Sequence, residues 1–346
     1  MKRKGQWYLV VALLCILSSL IVDSAVSQEK EAIILNLGCC AQLRRGELDG
    51  DHAFELQRLI ETYTNGRVKF KLFGIGEVHA NFIQQALAVR AGEWDACVNP
   101  QPYFGLPQGD LAGPYVMIGN DEMILGKSHQ QWFADPRGGG KFKQILKEKG
   151  GTILYLGFAT PYGFWAKKEA HSLADWQKLK MRAAAGLKGV IMFLRAIGAV
   201  PVTTTAEEAP MALKTGVVDG TSTAWNYFYD QKMYDLAPLY WPRNLTPNVV
   251  CHYGMMSNKA WGRLPADIQK IIQEKVTPEM EKYSYDYYKK MCLEYGKKIE
   301  AKTTAYSLSD ARIKEIKEGF KKELYPYYEG LDPEMWGVWK RILDIK

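Results

Sequence analysis

Histidine is scarce in this chain, at five of 346 residues. His52, His79, His129, His171 and His252 show no partner arrangement that acid–base catalysis would use. There is no Gly-x-Ser-x-Gly elbow, no His-Glu-x-x-His pair and no phosphate loop ending in Gly-Lys-Ser or Gly-Lys-Thr. These absences remove the commonest serine-hydrolase, zinc-protease and nucleotidase readings, and no enzyme is expected. Gly74-Ile75-Gly76 follows a strand-like run, but His79 stands where a dinucleotide fingerprint needs its third glycine, so the segment reads as a turn. Low-complexity tracts are missing, and so is any linker rich in Pro, Gly and Ser. Two domains, if present, therefore share the chain discontinuously.

Long apolar runs are equally few. The one candidate, residues 9–22, follows Lys2, Arg3 and Lys4 and precedes Ala25-Val26-Ser27. A basic start, an apolar middle and an Ala-x-Ser end read as a secretory signal peptide over 1–27. The run is broken by Ser18 and Ser19 and falls short of the roughly 20 residues that span a bilayer. No second run approaches that length, so the expectation is a soluble body placed in the periplasm. Five of the six cysteines lie beyond the leader: Cys39, Cys40, Cys97, Cys251 and Cys292. An odd count leaves at least one thiol without an intramolecular partner, which excludes a disulfide-stapled scaffold. The formal charge of +7 suits small anionic ligands and does not call for nucleic acid.

What is present is alternation. Roughly 320 residues after the leader exceed what one core organises. Strand-like 33–37, a helix carrying Ala53, Leu56, Ile60 and Tyr63, strand-like 68–73, a helix with Val78, Phe82, Ile83, Ala86 and Leu87, and strand-like 95–98 make a β-α-β-α-β unit. A second such unit has strands expected at 152–156, 179–182, 200–204 and 217–220, with Val190, Ile191, Leu194 and Ile197 on an intervening helix. From 278 to 301, Met280, Tyr283, Tyr287, Met291, Tyr295 and Ile299 keep helical spacing over a length that reaches across two domains. The region 310–346 reads as helical and charged, with Trp336 and Trp339 as packing anchors.

Three ordered motifs carry a family resemblance: Trp176-Gln177-Lys178-Leu179-Lys180-Met181-Arg182, Ala196-Ile197-Gly198-Ala199-Val200-Pro201-Val202, and Ala212-Leu213-Lys214-Thr215-Gly216-Val217-Val218-Asp219-Gly220. Asn65-Gly66-Arg67-Val68, Trp94-Asp95 and Trp261-Gly262-Arg263-Leu264-Pro265 extend the match over most of the chain. Together they resemble the solute-binding proteins of tripartite ATP-independent periplasmic (TRAP) transporters, the DctP family. The resemblance implies a two-lobed α/β periplasmic-binding-protein fold. Each lobe would be a mostly parallel sheet flanked by helices, joined to the other by crossing strands and a long helix. It also implies capture of an organic acid and its delivery to small and large permease subunits in the membrane. The expected division is 28–153 with 248–284 for lobe I and 154–247 with 285–346 for lobe II.

The resemblance places the carboxylate-gripping arginine on Arg182, and the residues agree: a guanidinium at a strand end, followed by Ala183-Ala184-Ala185-Gly186, can form two parallel bonds to a carboxylate beside a helix N-terminus. Where the family has Gln-Glu-Asn-Pro after Asp219-Gly220, this chain has Thr221-Ser222-Thr223-Ala224. The ligand-contacting Asn position falls on Thr223, with Trp225 and Asn226 as further candidate contacts. Strand ends of the first lobe would add Cys39, Cys40 and Asn99, and Tyr162, Phe164 and Trp165 are expected at the cleft wall. The aromatic residues suggest a monocarboxylate with an apolar body. No cofactor is expected, and no ligand spacing supports zinc on Cys39, Cys40 and Cys97 with His52 or His79. Two alternatives stand beside transport: a sensory protein presenting its closed form to a receptor, and a secreted cysteine-dependent hydrolase using Cys39 or Cys40 with His52.

Overall fold

The computed structural model describes residues 31–79, 81–100, 105–115, 122–185, 187–240 and 248–345; the expected leader lies outside them. The edge strand shows how the pattern becomes structure. In β2 (Val68–Phe73), Val68 and Phe70 are buried while Lys69 and Lys71 face water, the alternation a half-buried strand requires. Its parallel neighbour β1 (Ile33–Cys39) pairs on the other side with β3 (Ala96–Pro100). The helix α1 (Leu48–Tyr63) covers one face of this wing, burying Ala53, Leu56, Leu59 and Ile60, and α2 (Phe82–Ala91) connects β2 to β3.

A second parallel wing is made by β5 (Lys180–Ala184), β6 (Val200–Thr204) and β7 (Gly220–Ala224), connected through α5 (Lys188–Ala196) and α6 (Ala209–Thr215). Between the wings run two long antiparallel strands, β4 (Gly151–Ala166) and β9 (Asn248–Ser257). The described strands form one sheet whose main path is β2-β1-β3-β9-β4-β7-β5-β6. This is the expected mixed α/β architecture with crossing strands. No helix among the described residues is long and apolar enough to cross a membrane.

Two strands depart from their sequence reading. β4 runs sixteen residues, well past the expected stop at 156, because Gly157 and Pro161 do not end it. Pro161 follows a register shift that begins after Phe158, and Gly157 admits the long helix: a Cβ there would lie 2.3 Å from the Ser284 hydroxyl. β7 begins where the sequence reading had it end. Gly216 closes α6 in a left-handed conformation (φ +76°), and Asp219 accepts the Lys180 N–H at 2.9 Å through its carboxylate. The strand proper is thus Thr221-Ser222-Thr223, polar by sequence yet 0 to 4% exposed.

The long helix α8 (Thr277–Glu300) matches its expected span, and at 1.5 Å per residue is about 36 Å long. It packs along β4 and against α1 and α7 (Trp225–Asp230). The C-terminal helices α9 (Asp310–Gly319), α10 (Tyr325–Leu331) and α11 (Pro333–Ile342) bury Trp336 and Trp339 as anticipated. Trp339 donates to the Leu111 carbonyl at 2.8 Å and stacks on Trp132 of α3 (Glu122–Ala134). Leu111, Trp132, Phe142 and Leu146 therefore share a core with these C-terminal helices.

Candidate functional site

Strand directions locate the cleft. The first wing runs parallel to β4, since β3 opposes β9 and β9 opposes β4, whereas the second wing runs against β4 through β7. The carboxyl ends of both wings therefore point at the middle of the crossing strands. Pro100 ends β3 opposite His252, which faces Gly157, and Ala224 ends β7 opposite Tyr162. Five residue steps at about 3.3 Å each put roughly 16 Å between the two levels. Binding in open α/β sheets occurs beyond carboxyl strand ends, and here two sets of ends face one gap.

On the second wing, Arg182 is the chemical centre. It is 2% exposed. Its Nε donates to Thr204 Oγ1 at 3.3 Å, Nη2 to the Thr204 carbonyl at 3.2 Å, and Nη1 to the Ser222 carbonyl at 2.9 Å. All three acceptors are uncharged. A buried cation without a counter-ion is expensive, and none of these three partners supplies one. β5 and β7 stay paired only through Arg182 and Thr221. Beyond them Ser222 Oγ donates to the Arg182 carbonyl at 2.8 Å, and the strands part where the guanidinium sits.

The neighbouring helix N-terminus does not contribute as expected. The Gly189 N–H in the first turn of α5 donates to Asp110 at 2.9 Å, and Tyr327 donates its hydroxyl to the same carboxylate. Burial pushes the Asp110 carboxyl up, opposed by those two donors. The partial positive charge at this helix end is thus matched by the chain's own Asp110, and the Arg182 guanidinium is the positive charge that remains at this strand end.

The other expected contacts divide. Thr223 is 4% exposed opposite Gly163. Trp225 meets Tyr240 edge-on at 6.1 Å, and neither its Nε1 nor Asn226 Oδ1 has a hydrogen-bond partner among the described residues. Both sit at the carboxyl end of β7. Phe164 and Trp165 are core residues and not cleft wall: Phe164 stacks on Phe193 at 5.0 Å and Trp165 on Phe228 at 3.8 Å. They lie inside β4, not after it, so helices cover them on both sheet faces. Tyr162 does reach the site, donating to the Ser222 carbonyl at 3.1 Å. Thr204, Ser222 and Thr221 were not anticipated. Thr221 is fully buried beside Arg182 with an unpartnered hydroxyl. A run of three polar residues inside a strand position was the signal for the last two.

On the first wing, Cys39, Cys40 and Asn99 gather at the ends of β1 and β3. Asn99 is fully buried beside Tyr253, yet neither of its amide atoms completes a hydrogen bond of ordinary geometry. Cys39, Cys40 and Cys97 are free thiols among the described residues, and no group of metal ligands forms among those residues. Burial first and the Asp49 charge second push the Cys39 and Cys40 thiols up, so they are poor nucleophiles. His52 serves neither: its Nδ1 lies 2.7 Å from the Leu48 carbonyl and its Nε2 3.1 Å from Ser284. The cysteine–histidine dyad of a hydrolase is therefore not assembled. A separate cavity of about 590 Å³ lies between α3, α4 (Lys141–Glu148), β4 and α8, lined by Phe133, Phe158, Tyr285 and the paired Lys143 and Glu281. It shares none of the Arg182 cluster.

Solved structures share this fold at low sequence identity. An extracytoplasmic solute receptor from Bordetella pertussis that binds pyroglutamic acid has a TM-score of 0.75 and 16% identity, covering 89% of this chain and 100% of its own. A TRAP periplasmic solute-binding protein from Haemophilus influenzae RdAW with bound L-gulonate gives 0.75 and 17%, covering 91% and 100%. One from Desulfovibrio salexigens with bound orotic acid gives 0.75 and 18%, covering 90% and 98%. Residues 42–330 match the model of the DctP family, described as bacterial extracellular solute-binding protein, family 7, and the chain belongs to that family.

Proposed function

We propose that this chain captures an organic acid in the cleft between its wings and delivers it to membrane permease subunits of a TRAP transporter. The observation that supports this most is the buried guanidinium of Arg182, whose described partners are all neutral. The ligands named for the three structures above are all carboxylates, which is the anion such a seat accommodates best through bidentate bonding. The leader at 1–27 would carry the chain to the periplasm. Thr223, Trp225 and Asn226 from the second wing, and Asn99, Cys39 and Cys40 from the first, would meet the solute body as the lobes close. Closure follows from the solute's preference for the closed form. The reading is one of binding and release, with no bond made or broken.

A thermal-shift screen against mono- and dicarboxylates, sugar acids, keto acids and aromatic acids identifies the solute class. Calorimetry then tests the seat: Arg182→Ala should weaken acid binding by about 2 to 5 kcal/mol, the range for losing one partner of a buried charged contact. Unchanged affinity in that variant would remove the proposal.

A further inference from the structure

We propose that Tyr162 is a positioning residue for carboxylate capture, fixing the Arg182 guanidinium through the carbonyl oxygen of Ser222 that the two side chains share. This rests on the reading of Arg182 as the carboxylate seat and adds what makes that seat rigid.

The geometry is that of a carbonyl with both lone pairs in use. Ser222 O accepts Arg182 Nη1 at 2.9 Å and the Tyr162 hydroxyl at 3.1 Å. The same residue's Oγ donates to the Arg182 carbonyl at 2.8 Å, so the Ser222 peptide is tied to Arg182 at both its backbone and its head group. Tyr162 reaches across from the neighbouring strand, two residues from the bulge in β4 that marks the centre of the cleft. Its ring is held edge-on by Tyr115 at 5.8 Å, and the Tyr115 N–H in turn donates to Tyr328 at 2.6 Å. Burial raises the Tyr162 phenol, and the positive charge of Arg182 is the largest influence opposing that rise. The hydroxyl therefore lies within electrostatic reach of the guanidinium as well as of the carbonyl.

Three of the five guanidinium N–H groups are given to Thr204 and Ser222, the Tyr162 hydroxyl is itself in hydrogen-bonding contact with the guanidinium, and a carboxylate gripped end-on takes two N–H groups held in one plane. Bidentate capture tolerates little rotation about the last side-chain torsions. Tyr162 holds the Ser222 carbonyl in the plane that sets that rotation. Removing only the hydroxyl would leave the ring packing in place and allow the carbonyl to turn.

The test is a double-mutant cycle by calorimetry on the chain lacking residues 1–27, with pyroglutamate, L-gulonate, orotate and malonate as probe acids and the tightest binder of these used throughout. Tyr162→Phe should weaken that acid about 5- to 20-fold. In an Arg182→Lys background, where a flexible ammonium has no fork to align, the same change should cost less than 2-fold. Equal losses in both backgrounds, or an unchanged Kd for Tyr162→Phe, would overturn the inference while leaving the carboxylate seat intact. Ser222→Ala supplies a second route should Tyr162→Phe not fold: it keeps the carbonyl but cuts its tie to Arg182, and the same non-additivity is expected. If no probe binds the parent chain, or Arg182→Ala binds as tightly as the parent, the underlying reading fails and this one with it.

Discussion

Ser284→Ala tests how the crossing strands are pinned to the lobe-spanning helix. Ser284 lies in α8 with no exposure. Its Oγ accepts the Phe158 N–H at 2.7 Å and lies 2.9 Å from the Phe158 carbonyl and 3.1 Å from His52 Nε2. Phe158 needs such a partner. On the side away from β9 its backbone groups would normally bond to the next strand, but β7 joins β4 only from Tyr162 onward. The serine hydroxyl replaces the missing ladder.

The one hydroxyl proton has two acceptors within reach, the Phe158 carbonyl and His52 Nε2. His52 Nδ1 faces the Leu48 carbonyl at 2.7 Å, which can only accept, so Nδ1 carries a proton. Burial, then the neighbouring His252, push the His52 pKa well below its ordinary range. His52 is therefore neutral, and its bare Nε2 shares the serine proton with the Phe158 carbonyl. Alanine strands the Phe158 N–H and one of those two acceptors, at about 1 to 3 kcal/mol each, so about 2 to 6 kcal/mol of stability should be lost. Urea unfolding followed by circular dichroism measures this as a lower midpoint at unchanged slope. A loss below about 1 kcal/mol would refute the pinning argument. The same histidine sets a pH dependence: because its folded pKa is depressed, the unfolded state binds the extra proton. Stability should fall as pH drops below about 6.5, by at most about 1.4 kcal/mol per unit from this group.

Gly189→Ala sets helix propensity against the Asp110 contact. Alanine favours the helix by about 0.5 to 1 kcal/mol, but its Cβ would lie 3.3 Å from both Asp110 Oδ2 and the Tyr115 ring. Tyr327 and Tyr328 hold those neighbours in place, so thermal denaturation should show a net loss, and a rise in Tm would show that the Asp110 segment can move aside. Thiol labelling with Ellman's reagent on the chain lacking residues 1–27 should find Cys292 first, since Cys39, Cys40, Cys97 and Cys251 are buried. Those four should react only after denaturation. Rapid modification of Cys39 or Cys40 in the native protein would reopen the nucleophile reading. Trp339→Phe, which removes the bond to the Leu111 carbonyl but keeps an aromatic ring, should lower stability by about 1 to 3 kcal/mol through the orphaned acceptor, and no change in urea midpoint would mean that solvent takes that place.

Legibility in the sequence tracked how far local pattern and tertiary demand agreed. β2 was readable to the residue because Val68 and Phe70 alternate with lysines on a half-exposed edge strand, and α8 because its buried Met280, Met291 and Ile299 keep helical spacing. The two strands that build the cleft were the two misread, and for one physical reason. The strand whose carboxyl end faces the gap is polar, and β7 is written Thr221-Ser222-Thr223; a strand that crosses between lobes must bend and admit a helix, so β4 contains Gly157 and Pro161. Both features look like turns to a reader of propensity. Arg182 was legible because motif and strand position agreed on it, but its setting was not. The carboxylate at the head of α5 comes from Asp110, 79 positions earlier, and the hydroxyl that shares its Ser222 partner comes from Tyr162 on a strand read as ended. The residues that make a cation at a strand end into a fixed seat are distant in sequence, so only the fold could place them together.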